Sequence, residues 1–490
     1  MSGLAVTLLA LGTALAARPD EGGGFRPYDD ADVLDHVDGP LGLVRVHYSV
    51  DGPNVTILDD LDGSGAPDFP ELVAATAEDV LDGFVALGFR EPVSEESLGI
   101  DDLGGSGAFD FYLVDFGGTA DGQFSVDDCA GGVCVGHMLM ENDFSGYGYS
   151  SLEEAASVLT SHELFHAVQA AYAARLPAWM SEGMAVWAER RFDEDSPDFM
   201  GLSSAYLAEP TRPVNSPPAG TVTAWVYGTA LFFEFVTLRH GLDAAPDVLV
   251  AMESTDEDDA LDAVLDVLQD RGDSLADAWP VFAAWNLGTG RRSGALDGYP
   301  FAHRLGTVPM EGDSEGGLLE DDNRFYPVAT TYWRFTHAGG PLSFVAEDDP
   351  TGLVFGLHPI EDGSENGPAL DALVTWAPTS DGAVDLGDVD AGHYYVLGTY
   401  PAEADESAKV HFCLADPDAA AVCMPTVDEG PHDSGEPSTE DDDDPAEQDE
   451  DTPTDGAGTS KDDSGCSTAA GSAQGLLALL GLGLAWRRRP

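Results

Sequence analysis

His162-Glu163-Leu164-Phe165-His166 sets two imidazoles four residues apart, with a carboxylate directly after the first. On a helix, positions i and i+4 share a face, so both rings can reach one ion. Glu163 then lies where it can take a proton from a water held by that ion. A third ligand must come from elsewhere, and Glu182 is the best placed. The sixteen residues from His166 to Glu182 hold the rest of one helix, a turn at Leu176-Pro177 and the start of an antiparallel helix. Three protein ligands leave a fourth position for water, which marks a catalytic zinc site rather than a structural one. Zinc lowers the pKa of its water from 15.7 towards ~7, so Glu163 is the expected general base. Charge grows on the carbonyl oxygen in the transition state, and Tyr227, in Trp225-Val226-Tyr227-Gly228, is the first choice to stabilise it. His240 is the second choice, and Glu189 is a candidate for orienting a ligand.

These residues need a scaffold. Residues 43–48 and 109–114 alternate and are rich in β formers, and 137–140 is a third strand. Val73, Val80, Leu81, Phe84 and Leu87 have helical spacing. Ser151-Leu152-Glu153-Glu154 matches a capping box and opens the helix that carries the two histidines. Pro177 permits a break before the Glu182 helix, and further helices are expected at 224–240, 244–252, 257–270 and 274–287. The fold class is therefore α+β, with the catalytic helices in 151–192 of a domain at 41–305. From about Arg324 short strand-like runs alternate with turn signals, so 324–425 reads as a small β-sandwich.

His162 to His166 followed by Trp179-x-x-Glu182-Gly183-x-Ala185-x-x-x-Glu189 resembles the gluzincin metallopeptidases, in particular the second zinc helix of the M1 aminopeptidases. The resemblance implies a zincin-like domain, Glu182 as zinc ligand and an edge strand beside the cleft that holds extended substrate. The interval from His166 to Glu182 is shorter than in M1 enzymes. Met140-Glu141-Asn142 matches the end of the M1 motif whose Glu grips a free α-amine, but Met138 and Leu139 do not match it. The chain also resembles a group of secreted myxobacterial metalloproteases, through residues 60–68 and Phe282-Ala283-Ala284-Trp285-Asn286 before Thr289-Gly290. The expected activity is thus zinc-dependent endopeptidase, with strand 137–142 pairing to the backbone of a protein or peptide substrate. Two alternatives stand beside it: an aminopeptidase using Glu141, and an inactive calcium-binding surface protein on the same scaffold.

Asp60, Asp62, Ser64, Gly65, Asp68 and Glu71 fall at positions 1, 3, 5, 6, 9 and 12 of an EF-hand loop template. Calcium is the second metal this chain could hold, for stability rather than catalysis. Composition limits the partners: 90 acidic against 20 basic side chains give a net charge of −70, which repels nucleic acid and anionic lipid.

Residues 1–16 read as a secretory signal, with a cleavage site at Ala14-Leu15-Ala16, and 17–40 as a polar leader. Export to an oxidising compartment allows Cys129 to pair with Cys134, and Cys413 with Cys423. Residues 426–465 form an acidic linker too poor in apolar residues to fold. The remaining segment, 466–490, ends in an apolar run and Arg487-Arg488-Arg489, long enough to reach across a membrane. Ser464-Gly465-Cys466-Ser467 before that run resembles myxobacterial C-terminal sorting tails. The likeness implies Cys466 as the processing and lipid-attachment site, a sorting protease as partner, and an enzyme tethered at or released from the cell surface.

Overall fold

The computed structural model describes residues 18–22, 26–219, 222–294, 298–347, 349–360, 368–379, 383–401 and 406–423. The expected signal at 1–16, the linker at 426–465 and the tail with Cys466 lie outside these residues. Among the described residues no helix is long and apolar enough to cross a membrane.

The chain is α+β. Its first half runs β1 (Leu34–Asp38), β2 (Val44–Ser49), α1 (Asp68–Ala86), α2 (Glu95–Leu98), β3 (Phe109–Val114), β4 (Gly122–Ala130), β5 (Val133–Glu141), α3 (Leu152–Ala170) and α4 (Ala178–Phe192). The five strands form one sheet in the order β1-β2-β3-β5-β4. Strands β2, β3 and β5 are parallel, while β1 and β4 run antiparallel at the two edges. Alternation divides the side chains between the faces. Val44, Val46, Phe111, Leu113, Met138 and Met140 pack in one core with α1, α3 and α4, whereas Tyr112, Val114 and Leu139 join Tyr28 and Phe116 on the other face.

Helix α3 is buried nearly all round, which is why it lacks a clear apolar stripe. Ser151 caps it by accepting from Glu154 N, and Glu154 reaches back to Ser150 N rather than to the cap itself. Pro177 stands in extended backbone directly before α4. Then follow α5 (Pro197–Leu207), α6 (Ala224–Gly228), α7 (Ala230–His240), α8 (Ala244–Met252), α9 (Ala260–Asp270) and α10 (Leu275–Leu287). Gly183 is required where α4 meets the α6–α7 turn, since a Cβ there would lie 2.2 Å from Thr229 Oγ1. Asn286 serves the end of α10: its carbonyl accepts from Thr289 Oγ1 and its side chain from Tyr299 Oη.

The second half has two facing antiparallel-rich sheets. They are built from β6 (Gly312–Ser314), β7 (Leu319–Phe325), β8 (Thr330–His337), β9 (Gly340–Ala346), β10 (Val354–Pro359), β11 (Val374–Trp376), β12 (Ala383–Val389), β13 (Gly392–Thr399) and β14 (Ala408–Ala415), before α11 (Pro417–Cys423). The orders are β11-β10-β13-β8-β6 and β12-β9-β14-β7, around an aromatic core of Phe325, Trp333, Phe344, Phe355 and Phe412. The sandwich therefore starts at about Gly312 rather than 324, because β6 and β7 are polar strands with few apolar positions to announce them. Disulfides join Cys129 to Cys134 and Cys413 to Cys423, as the spacing suggested.

Two expectations need correction. Residues 17–40 are not simply a leader: Arg18 and Tyr28 are buried and β1 joins the sheet. Polar anchors leave no hydrophobic period, so nothing in the pattern marked this segment as structural. Strand 137–142 is not an edge, because β5 lies between β3 and β4. The edge beside α3 is β4, whose hairpin to β5 turns at Gly131-Gly132, both with positive φ.

Candidate metal centre

His162 and His166 stand one helical turn apart on α3, and the start of α4 brings Glu182 against them. One ligand atom from each of the three residues lies within 4.8 Å of the others. Glu182 Oε2 is 3.3 Å from His162 Nε2 and 3.6 Å from His166 Nε2. It is buried and has no hydrogen-bond partner. An orphaned carboxylate oxygen facing two imidazole nitrogens is costly unless a cation completes the group. The spacing also fits: ligands on ~2.0–2.1 Å bonds at the corners of a tetrahedron stand about 3.3–3.4 Å apart. The donor set of two nitrogens and one oxygen suits zinc.

The other ring nitrogens are already engaged. His162 Nδ1 is 2.7 Å from Glu189 Oε1, and His166 Nδ1 is 2.8 Å from Gln169 Oε1. Gln169 in turn donates to the Ser181 carbonyl at 2.9 Å, which ties the last turn of α3 to the first turn of α4. With Nδ1 engaged on both rings, the two Nε2 atoms face Glu182. Glu189, the candidate for orienting a ligand, thus contacts His162, while Gln169 was missed. Its only signal was the i+3 position after His166 on the same helix.

Glu163 is buried beside this group, and its Oε2 accepts Phe124 N–H of β4 at 2.8 Å. One oxygen is fixed and Oε1 is left for proton transfer. Burial pushes the Glu163 pKa up, against the pull of His162 and His166. Burial also disfavours the Glu182 carboxylate, but His166 and His162 outweigh it and hold that pKa well below the usual range. Glu189 is pushed up by burial to about 7 despite its bond to His162.

Tyr227 on α6 lies beside the group, its ring centroid 5.9 Å from that of His162. Burial, together with the charges of Glu182 and Glu163, raises its pKa, so the hydroxyl keeps its proton and stays a donor. His240 is not there. It ends α7, roughly 15 Å of helical rise from Ala230, and contacts Asp273 at 2.9 Å. Glu141 is also elsewhere. On β5 it shares the face of Leu139, away from α3, and its Oε2 accepts Phe116 N–H and Tyr147 O–H at 2.9 Å each. Those bonds and that face leave it unsuited to gripping a substrate amine.

In the loop before α1, ligand atoms of Asp60, Asp62 and Asp68 also come within 4.8 Å of one another. Asp60 accepts Gly63 N–H and Ser64 N–H through Oδ1 and Gly65 N–H through Oδ2, and Ser64 Oγ donates to Glu71 at 3.1 Å. The loop is thus wound around its acidic side chains, with Gly63 and Gly65 at positive φ. A third group, Glu320 and His411 near Cys413 and Cys423, is not a metal site, because both cysteines are in the disulfide.

No family model matches the chain, and no curated protein matches it either. Among solved structures, it is similar to a periplasmic lysozyme inhibitor, PliG of Aeromonas hydrophila, which inhibits g-type lysozyme. That alignment covers 21% of this chain and 89% of the inhibitor, at 17% identity and a TM-score of 0.16. A likeness at that score carries no argument about fold or function.

Proposed function

We propose that this chain is an exported zinc metallopeptidase with a zincin-like catalytic domain of the gluzincin kind, acting as an endopeptidase. The observation that carries the reading is the orphaned Glu182 Oε2, held 3.3 and 3.6 Å from the Nε2 atoms of two histidines that carry a neighbouring glutamate. His162, His166 and Glu182 would hold the ion. Zinc, when bound, supplies a Lewis acid and makes water a better nucleophile at neutral pH. Glu163 Oε1 accepts the proton of the attacking water and then delivers it to the leaving amine. The Tyr227 hydroxyl donates to the carbonyl oxygen as its charge grows.

Substrate orientation follows from β4. Phe124 N–H points away from β5 to Glu163, so the backbone of Gly122 and Val126 on either side of it faces the same way, along an edge that has no strand partner among the described residues. An extended peptide adds to such an edge by main-chain bonds, largely regardless of its termini. With Glu141 turned to the other face, an endopeptidase is favoured over an aminopeptidase. Intact ligands, base and orienting partners argue against a decayed binding protein. The disulfides suit an oxidising compartment, in keeping with the expected signal.

The decisive test is metal analysis with casein hydrolysis on the same preparation. One zinc per chain, activity lost to a chelator and regained with Zn2+ would support the reading; a zinc-free protein, or activity indifferent to chelation, would overturn it. Tyr227→Phe should lower kcat by about 10²-fold with little change in KM, measured on a quenched-fluorescence peptide. An unchanged kcat would return Tyr227 to core packing.

We also propose calcium for the loop of Asp60, Asp62, Ser64, Asp68 and Glu71. Calcium should raise the thermal midpoint by a few degrees in the wild type and not in Asp60→Asn/Asp62→Asn, followed by scanning calorimetry. An equal rise in both proteins would exclude this loop as the site.

A further inference from the structure

On the sheet face away from α3 lies a charge cluster that the metal site does not use. Arg18 is fully buried, and its guanidinium meets three carboxylates from three elements. Nη2 is 2.5 Å from Glu95 Oε1 of α2 and 2.7 Å from Asp127 Oδ2 of β4, while Nη1 is 2.5 Å from Asp110 Oδ2 of β3. The carboxylate side chains are themselves at most 9% exposed. The second oxygens of Asp110 and Asp127 are engaged as well, by His47 Nε2 at 2.8 Å and His137 Nδ1 at 2.9 Å. The segment after Arg18 is pinned separately, by Tyr28 Oη donating to the carbonyls of His47 and Leu113.

The position of Asp127 gives this cluster a consequence. The residue sits in the β-bulge between Val126 and Asp128, where β4 departs from regular pairing with β5. A bulged edge strand is the part of a sheet least held by its neighbours. Three residues before the bulge, Phe124 N–H holds Glu163. Without the guanidinium, three buried carboxylates would face one another, and β4, paired on one side only and tied to β5 at its hairpin end by Cys129–Cys134, is the strand that would shift around Asp127.

We propose that Arg18 is a latch for β4: its guanidinium, docked between α2, β3 and β4, sets the bulged edge strand so that Phe124 holds Glu163 in its working position. Arg18 is therefore a positioning residue, acting through Asp127 and Phe124. The catalytic half of this inference rests on the peptidase reading; the structural half does not. The planar fork is essential, since a point charge cannot serve three carboxylates in these directions.

The test uses the full chain with Arg18→Ala, Arg18→Lys and Asp127→Asn, read by zinc content, peptide hydrolysis and amide hydrogen exchange. In Arg18→Ala, kcat should fall about tenfold or more with zinc retained, as expected for a misplaced base. Exchange should quicken across Gly122–Ala130, Phe124 included, and stay as in the wild type in α1 and the sandwich. Millimolar methylguanidinium should restore slow exchange in β4 and most of the lost kcat, and Arg18→Lys should remain impaired. Wild-type kcat and wild-type β4 exchange in Arg18→Ala would overturn the latch. So would exchange quickening throughout the chain without rescue, which marks a general structural role. If Arg18→Ala does not fold, Asp127→Asn decides: it keeps Arg18 on Glu95 and Asp110, and must loosen β4 alone. If the wild type hydrolyses no peptide, the peptidase reading fails, and exchange with methylguanidinium rescue still tests the latch.

Discussion

Glu163→Gln is expected to lower peptide hydrolysis by about 10³-fold while zinc stays bound, since a positioned general base contributes roughly 10²–10⁴-fold. The substitution keeps the size and shape of the side chain. It also keeps an oxygen that can accept Phe124 N–H, the bond that fixes Glu163 at 2.8 Å in the structure. What is lost is the basic oxygen. Glu163 is not among the three residues that converge on the ion, so metal content should be unchanged. Its raised pKa, caused chiefly by burial, gives a further expectation. The base works only when ionised, so kcat/KM of the wild type should fall as pH drops through that pKa. Zinc analysis and the pH profile, run together, separate loss of the base from loss of the site. Equal activity in both proteins would remove Glu163 from the chemistry.

Glu182→Ala should have an effect as large, by a different route. Two histidines alone hold zinc weakly, so dialysis should strip the metal and leave hydrolysis at background. The same variant separates metal binding from folding. A ligand that binds only the native state stabilises it by RT ln(1 + [L]/Kd), about 4 kcal/mol at a thousand times Kd. Chelation should therefore lower the melting temperature of the wild type and leave that of Glu182→Ala unmoved. Glu189→Gln makes a useful contrast. Its carboxylate touches His162 Nδ1 rather than the ion, so zinc affinity or activity should fall only about 10–100-fold. A Glu182→Ala protein that retains stoichiometric zinc would show that the ligand set is wrong.

Much of this site is legible along the chain because its parts are local. His162, Glu163 and His166 lie within one turn of a helix, and Ser151 and Glu154 mark where that helix starts. Pro177 marks where the next begins, so the antiparallel return that brings in Glu182 follows from the length of the intervening chain. Glu189 was also within reach, since it stands on the same helix as Glu182. The edge strand was not. Strand β5 is far more apolar than β4 and reads as the stronger strand, yet its apolar side chains reflect burial between two neighbours. The Gly131-Gly132 turn between Cys129 and Cys134 was the signal that a second strand preceded it. Strand order depends on pairings between distant segments, and no periodicity within either segment encodes it.

Sequence by itself determined the candidate ion-binding pair, the candidate base, the reach of Glu182 and the α+β class, because helical geometry converts short spacings into shared faces. Only the tertiary structure decided that Glu141 turns away from the site, that His240 stands far along its helix, and that β4 rather than β5 carries the free edge. It alone showed Gln169 at His166 Nδ1, and Arg18 on carboxylates 77 to 109 residues away. The Arg18 contacts close long loops, and the burial of polar groups that requires them to be satisfied arises only once the sheet and helices have packed.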